Sequence, residues 1–583
     1  MLDTMSGTVN EAAFTLLGDE AAALGAIHAG MSAAYGYPGT PSTEIMEFLQ
    51  LHSPDGIRPP GDYIAKWCTN EKTAMEAALG ASFAGKRALV TMKHVGLNVA
   101  SDPFINSSLL GIKGGLVIAV ADDPGMHSSQ GEQDSRFYSF FALVPCLEPR
   151  SQQEAYDLCR EAFDLSERFR LPVMLRLVTR LSHARSIVAT KSIRQQNTCS
   201  KAEDKTEWML LPAHARKNYA SLIKKQEGLK QWSGQHPLNR LELEGRDLAF
   251  AVITSGLGGN YYEENLPDLI QARGKAPARL HIASYPLPEE SIRKLCEKAE
   301  ELLVIEEGQP LIEEKIRGIL PLSLTIRGRL GEGASSGGSA SAGGKAGIPR
   351  TGELDPDNVR QALGLPKRGS VLDGLPAGSA AAQFAEGKTG RPPQLCQGCP
   401  HTDSYEALNM AVAQLDNNPG HPTVSINADI GCYSLGAAPP YSAIESIVCM
   451  GASVGMARGA ADAGVPFAFA VIGDSTFIHS GITPLIDAVE ANTPMTLIIL
   501  DNSTVAMTGC QATAFPSAKL KNLILGTGLD PGHYLELEAK KQLIGENAEK
   551  LQKEAGYRGL SVVVFKRECL EAFRRQRKTG DAG

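Results

Sequence analysis

Two stretches in the last third of the chain could hold a hard cation between them. In FAVIGDSTFIHSGITPLIDAVEANTPMTLIILDNSTVAMTG, one apolar run ends at Gly473-Asp474 and a second ends at Leu500, just before Asp501-Asn502. A helix-like stretch over about 481–491 lies between them. In such a βαβ unit the two strands lie side by side and both carboxyl ends face one sheet edge. Ligands of open α/β sheets bind at that edge. Asp474 and Asn502 then offer oxygen donors about one strand spacing apart, which suits Mg²⁺ holding a diphosphate. The plainer alternative makes Asp474 a helix cap and Asp501-Asn502 a turn.

Sulfur chemistry is the second candidate. Eleven cysteines are too irregularly spaced here for a secreted disulfide framework, and most, such as Cys68, Cys146, Cys159 and Cys449, stand alone in apolar surroundings. Cys396 and Cys399 differ, forming a C-x-x-C flanked by Gly398 and Pro400. Alone, that pattern could be half a zinc site. Two more cysteines follow β-like runs: Cys432 after TVSINAD, and Cys569 at the end of SVVVFKREC. Loops after parallel strands share an edge, so four thiolates could meet there, the usual complement of a [4Fe–4S] cluster. Cys510, in MTGCQ beside the cation motif, competes for the fourth place.

The elements that must position these groups read as α/β throughout. Continuous apolar runs at 32–37, 87–92, 115–121 and 172–178 alternate with helix-like stretches, as in a parallel, doubly wound sheet. The rhythm is lost over 191–243, expected to be a solvated connector with a helix near 220–229. DLAFAVITSG, RLHIASYPL and ELLVIEEG make a smaller α/β unit over 244–330. Residues 331–392 begin with GEGASSGGSASAGGKA, a Gly/Ser-rich flexible linker. A third α/β region, 393–583, carries both chemical motifs. The expected division is therefore 1–190, a connector at 191–243, 244–330, a linker at 331–392, and 393–583.

The G-D strand end followed after a helix by an Asn-bearing turn resembles the metal motif of thiamine-diphosphate enzymes. YGYPGTPSTE, NEK, MKHVGLNVASDP, ADDPGMHSSQ, ITSG, CQGCPH, ADIGCYSLG and GDSTFIHSGI together resemble the alpha subunits of the indolepyruvate branch of the 2-oxoacid:ferredoxin oxidoreductase family. The resemblance implies two thiamine-diphosphate-binding domains, a pyrimidine-side one at 1–190 and a diphosphate-side one at 393–583, with a transketolase-C-terminal-like domain between. It implies Asp474, Asn502 and the carbonyl of Thr504 as Mg²⁺ ligands, with Gly473, Ser475, Asn98 and His401 as cofactor contacts. Glu71, in the N-E pair that starts a helix, is implied as the activating acid. By itself Glu71 reads as an ordinary acid favoured by a helix N-terminus, and Glu76 is its rival.

Thr40 of Y-P-x-T-P is implied near the substrate carboxylate, although Thr40 before Pro41 also fits an N-cap. His94, His127, Gln130 and Arg136, in polar loops after strands, are candidates for substrate contact. Cys396, Cys399, Cys432 and Cys569 are implied as ligands of one [4Fe–4S] cluster. The activity implied is oxidative decarboxylation of an aryl 2-oxoacid to an acyl-CoA and CO₂, with coenzyme A as co-substrate. One departure stands out: the family's ferredoxin-like C-x₂-C-x₂-C-x₃-C-P module is not in this sequence. The electrons are therefore expected to pass to a separate carrier subunit or ferredoxin. A beta subunit with the gamma-type domain and a homodimeric core inside a hetero-oligomer are expected as well.

Bulk properties narrow the class. A net charge of −8 argues against a nucleic-acid binder. Neither a signal-peptide pattern nor an apolar run of membrane-spanning length is present, so a cytoplasmic location is expected. The rivals are a non-oxidative 2-oxoacid decarboxylase, which needs no cluster, and a non-catalytic assembly subunit.

Overall fold

Aliphatic runs without polar interruption make strands buried on both faces, and Ala88–Lys93, Leu116–Asp122 and Val173–Val178 are buried along their whole length. The computed structural model describes residues 13–51, 63–200, 205–318, 320, 323–330, 347–369, 379, 394–415 and 424–580. The chain forms two units, Met1–Ser370 and Val371–Gly583.

In the first unit these strands are the centre of a seven-stranded sheet. Its order is Ser284–Tyr285, Cys146–Leu147, Val173–Val178, Leu116–Asp122, Ala88–Lys93, Ala33–Gly36, Ile64–Trp67. All run parallel except Ser284–Tyr285. Helices Gly18–His28 and Gln152–Phe169 lie against each other with little between them: a Cβ on Gly25 would sit 2.5 Å from the Tyr156 carbonyl. A second, five-stranded sheet has the order Thr325–Arg327, Glu301–Ile305, Asp247–Ser255, Pro277–Ile282, Leu241–Glu242, parallel but for the last.

The structure redraws three of the expected boundaries. The 244–330 region does not own a separate core: Ala251, Ile253, Leu280 and Leu302 share one apolar cluster with Val90, Met92, Ile118 and Met174. Its Ser284–Tyr285 segment even adds a strand to the first sheet. The helix expected near 220–229 runs from Pro212 to Gln235, and the connector is pinned by Asn239, whose amide oxygen accepts from the backbone of Ala283 and Ser284. Finally, 347–369 is no linker. Ile348, Leu354 and Val359 are buried in the first unit's core, Asp355 caps helix Pro356–Ala362, and Arg360 pairs with Asp268 at 2.5 Å. The 331–346 Gly/Ser stretch lies outside the described residues.

Where the two sheets of this unit meet, buried charges close on one another. Arg136 contacts Asp134 at 2.6 Å and Glu306 at 3.1 Å, and Arg176 contacts Asp122 at 2.7 Å. Tyr285 donates to Glu148 at 2.6 Å. Arg136 was a candidate for substrate contact, and the structure removes it. Its side chain is wholly enclosed and spent on Asp134 and Glu306.

The second unit carries one parallel sheet ordered Ser446–Ile447, Val424–Ala428, Phe467–Gly473, Met495–Asp501, Ser561–Lys566, Tyr534–Glu538. Alternate residues fill two different cores, as strand geometry requires. Phe469, Val471, Ile498 and Leu500 pack on one face, and Ala468, Ala470, Ile472, Leu497 and Ile499 on the other. Among the described residues no helix is long and apolar enough to cross a membrane.

The seam carries a pH dependence. Burial pushes Glu306 and Glu307 up to about 7. Arg329 and Arg176 oppose the shift at Glu307, and Glu353 adds to it. An acid raised in the fold stabilises it while protonated, and that contribution is lost as pH rises from the ordinary glutamate range through about 7. Denaturant unfolding of the full chain should therefore show falling stability from about pH 5 to about pH 7. Glu307→Gln, neutral throughout, should flatten the decline; an unchanged slope would contradict this account.

Candidate functional site

In the second unit four of the chemical candidates sit just past the carboxyl ends of parallel strands. Asp474 follows Phe467–Gly473, Asn502 follows Met495–Asp501, Cys432 follows Val424–Ala428 and Cys569 follows Ser561–Lys566. Their strands are successive neighbours in the sheet. The helix expected from about 481 begins at Asp474 instead. It runs as Asp474–Thr476, a π-helical turn Phe477–Gly481, then Ile482–Glu490. π-turns inside helices recur at functional sites. Gly473 is required here, because a Cβ would lie 2.6 Å from the Tyr433 ring. Ser475, two residues on, is half-buried.

Asp474 is almost fully buried, and burial together with the neighbouring Asp501 pushes its carboxyl up to about 8. Asn502 is buried too, its Oδ1 accepting from the Thr504 backbone N–H at 3.2 Å. Ser503, with φ near +60°, makes this turn tight. Thr504 is fixed by its Oγ1 donating to the Gln511 carbonyl at 3.0 Å. The donor set contains a buried carboxylate repelled by a second one, a side-chain amide and a backbone carbonyl. A small hard cation fits it, since charge neutralisation removes the repulsion.

The thiols form a group beside this turn. Burial first, then the neighbouring thiols, push Cys399 up to about 11 and Cys432 up to about 12. Cys396, Cys399, Cys569 and Asp474 all act on Cys432. Cys510 lies beside Cys569 but is not among the strongest influences on Cys399 or Cys432. His401, which opens helix Pro400–Leu415 with Pro400, is buried, and burial pushes its imidazole down to about 4. Its Nε2 lies 3.4 Å from Cys432 Sγ and 3.3 Å from Asn502 Nδ2.

Among the described residues no three His, Cys, Asp or Glu side chains close on a single-ion site. Four thiols that act on one another have the number and chemistry that a [4Fe–4S] cluster takes.

The first unit gathers its own candidates at the carboxyl edge of the seven-stranded sheet. Glu71 is the first residue of helix Glu71–Phe83, capped by Asn70, and is buried against the backbone of Gly96. Glu76 is exposed and pairs with Lys72 on the surface. Geometry favours Glu71. Thr40 is not an N-cap, because the next helix starts at Thr43; the Thr40 carbonyl accepts from Ser128 Oγ at 3.2 Å.

HVGLNV, expected as part of a polar loop, is the helix His94–Val99, which buries His94, Gly96 and Leu97. His94 Nε2 contacts the Gly131 carbonyl at 3.1 Å. Asn98 is exposed and accepts from Tyr138 Oη at 2.6 Å. His127 and Gln130 are exposed in the 123–135 loop, where His127 meets Glu353 of the ordered 347–369 segment at 3.1 Å.

Sequence reasoning passed over Lys93 and Asp123. Lys93 ends an entirely buried strand, donates to the Ser128 carbonyl at 2.8 Å, and is pushed down to about 8 by burial. Asp123 organises the loop through Ser128 N at 2.8 Å and Ser129 Oγ at 2.5 Å. A charge ending an apolar strand was the available signal.

Known families match segments of both units. The family described as pyruvate flavodoxin/ferredoxin oxidoreductase, thiamine diphosphate-binding, matches residues 24–221. The thiamine pyrophosphate enzyme C-terminal domain matches 429–537. Indolepyruvate oxidoreductase subunit IorA of Archaeoglobus fulgidus is 36% identical, over 97% of this chain and 87% of that protein. Its namesake from Methanothermobacter thermautotrophicus is 34% identical, over 95% of this chain and 86% of its own length. The chain belongs to the IorA family.

It is thus an α/β enzyme subunit of the thiamine-diphosphate-dependent 2-oxoacid:ferredoxin oxidoreductases. A solved 2-oxoglutarate:ferredoxin oxidoreductase from Magnetococcus marinus is 16% identical, covering 54% of this chain and 62% of that one with a TM-score of 0.46.

The Glu71–Gly96 contact is testable. A Cβ on Gly96 would lie 2.5 Å from Glu71 Oε1. Gly96→Ala should cost about 1–3 kcal/mol in denaturant unfolding through overpacking. In the assembled enzyme it should lower kcat in the direction of Glu71→Gln, and a wild-type kcat would show that Glu71's position does not matter.

Proposed function

We propose that this chain is the catalytic subunit that oxidatively decarboxylates an aryl 2-oxoacid of the indolepyruvate type, giving an acyl-CoA and CO₂. The observation that carries the reading is the edge of the second unit's sheet. There Asp474, Asn502, Cys432 and Cys569 follow adjacent parallel strands, so a diphosphate-bound metal and a sulfur-ligated cluster would sit side by side.

Asp474, Asn502 and the Thr504 carbonyl would hold Mg²⁺, and Cys396, Cys399, Cys432 and Cys569 a [4Fe–4S] cluster. When bound, thiamine diphosphate supplies carbanion stabilisation and the cluster supplies one-electron oxidation. Glu71, buried at its helix start, holds the proton that the aminopyrimidine ring exchanges. Thr40, with His94, His127 and Gln130 around the 123–135 loop, orients the 2-oxoacid carboxylate. Coenzyme A takes the acyl group. A beta subunit and a separate electron carrier complete the assembly around a homodimer, in the cytoplasm. A non-oxidative decarboxylase would leave the four thiols that act on one another without a task.

Calorimetry on the full chain should show thiamine diphosphate binding only with Mg²⁺ or a similar hard cation, lost in Asp474→Ala. Glu71→Gln should bind the cofactor yet exchange the thiazolium C2 proton slowly by NMR. Metal-independent binding, or normal exchange in Glu71→Gln, would refute these assignments.

Protein purified without oxygen should hold about four irons per chain. Cys569→Ala should lose the iron, whereas Cys510→Ala should keep it. Stoichiometric zinc, or the opposite behaviour of the two variants, would overturn the ligand set.

A further inference from the structure

One buried side chain touches both halves of the proposed centre. His401 Nε2 is 3.4 Å from Cys432 Sγ and 3.3 Å from Asn502 Nδ2, and Asn502 Nδ2 is itself 3.8 Å from the same sulfur. Three atoms thus form a small triangle with a sulfur at one corner. Two of them, an imidazole nitrogen and an amide nitrogen, can donate; a thiolate sulfur can only accept. When Cys432 is a thiolate, both N–H groups converge on it.

The amide has a second end. With its nitrogen turned to the sulfur, the Asn502 oxygen faces the Thr504 turn, where it accepts from the Thr504 N–H at 3.2 Å. That is the orientation a cation-ligating oxygen needs. A reversed amide would aim its nitrogen at the cation and its oxygen at a thiolate, and both contacts would be repulsive. His401, whose Nε2–H donates to the same sulfur, is the second donor. It is rigidly seated: nearly fully buried, at the start of a long helix, with the Tyr433 ring edge-on at 6.3 Å. Its backbone N–H also stabilises the neighbouring Cys399 thiolate.

We propose that His401 is a positioning residue whose Nε2–H holds the Cys432 sulfur beside the Asn502 Nδ2–H, so that the Asn502 amide couples the cluster to the metal–diphosphate site. The proposal rests on the cofactor assignment above. Its physical content is a linkage. A cation on the Asn502 oxygen polarises the amide and makes its N–H a stronger donor to the Cys432 sulfur. Donors to a cluster sulfur stabilise the reduced, more negative state, so hydrogen bonds to sulfur raise the potential. Binding Mg²⁺ with thiamine diphosphate therefore raises the cluster potential. By thermodynamic reciprocity, the reduced cluster binds Mg²⁺–thiamine diphosphate more tightly than the oxidised one.

The test is a dithionite redox titration of the full chain, reconstituted anaerobically with iron and sulfide and followed by EPR. It is run with and without Mg²⁺ and thiamine diphosphate, on wild type, His401→Leu and His401→Gln. The wild-type potential should move upward on cofactor addition. His401→Leu should keep its iron, titrate at a more negative potential, and lose most of the cofactor-induced shift. His401→Gln, which keeps an N–H donor, should restore much of both.

A wild-type potential indifferent to the cofactor overturns the coupling, as does a His401→Leu protein that matches wild type in both states. Wild type with no iron, or without Mg²⁺-dependent cofactor binding, overturns the functional reading itself and the coupling with it.

Discussion

A parallel strand must be followed by a crossover before the chain can return, so every strand of a parallel sheet delivers its carboxyl end to the same edge. The site of the second unit is a consequence of that constraint. Residues 432, 474, 502 and 569 are far apart in sequence, yet their four strands are consecutive neighbours in one sheet. Nothing about the individual side chains brings them together. The aliphatic faces do, because Phe469, Val471, Ile498 and Val563 on one side and Ala470, Ile472, Leu497 and Val562 on the other leave these strands no other register.

The same edge explains why glycine and tight turns cluster there. Helix starts and strand ends crowd into a small volume, and small residues let backbone and ring approach. Gly473 against Tyr433 in the second unit and Gly96 against Glu71 in the first are the clearest cases. Each admits a group that a methyl would displace. The π-turn Phe477–Gly481 belongs with them, since it lets one helix begin directly at Asp474 without stepping away from the sheet.

Much of this was legible in the sequence, for a physical reason. Uninterrupted aliphatic runs announce buried parallel strands, and the run that ends at Gly473 puts Asp474 at a strand's carboxyl end whatever the details of the loop. Local turn chemistry was harder to read. Thr40-Pro41 carries an N-cap pattern, but the helix waits until Thr43, whose hydroxyl accepts from the Gly39 N–H. HVGLNV carries polar residues enough to pass for a loop, yet it buries a helical stripe. Arg136 shows a different limit: a lone arginine after a strand looks like a ligand for an anion. Only the fold reveals that Asp134 and Glu306 already occupy it. Likewise, 347–369 follows a Gly/Ser stretch and looks like its continuation until Ile348 and Leu354 are seen inside a core.

The contrast between the two buried acidic groupings indicates where a cation belongs. In the first unit, Asp122, Asp134, Glu148, Glu306 and Glu307 are buried together, but Arg136, Arg176 and Arg329 are threaded among them. Arginine offsets much of the charge from within, although burial still pushes Glu306 and Glu307 up to about 7, and the grouping is a structural seam. In the second unit, Asp474, Asp501 and the facing thiols concentrate the same sign of charge. No arginine or lysine is among the groups that act most strongly on Asp474, Cys399 or Cys432. Their protons are held more tightly than those of the seam, with Asp474 near 8 and the two thiols higher still.

Burying anionic ligands without a counter-charge costs several kcal/mol per group in stability. A fold carries that cost where an external cation relieves it. Both groupings bury acidic side chains; what separates a seam from a site is whether the chain supplies the positive charge itself.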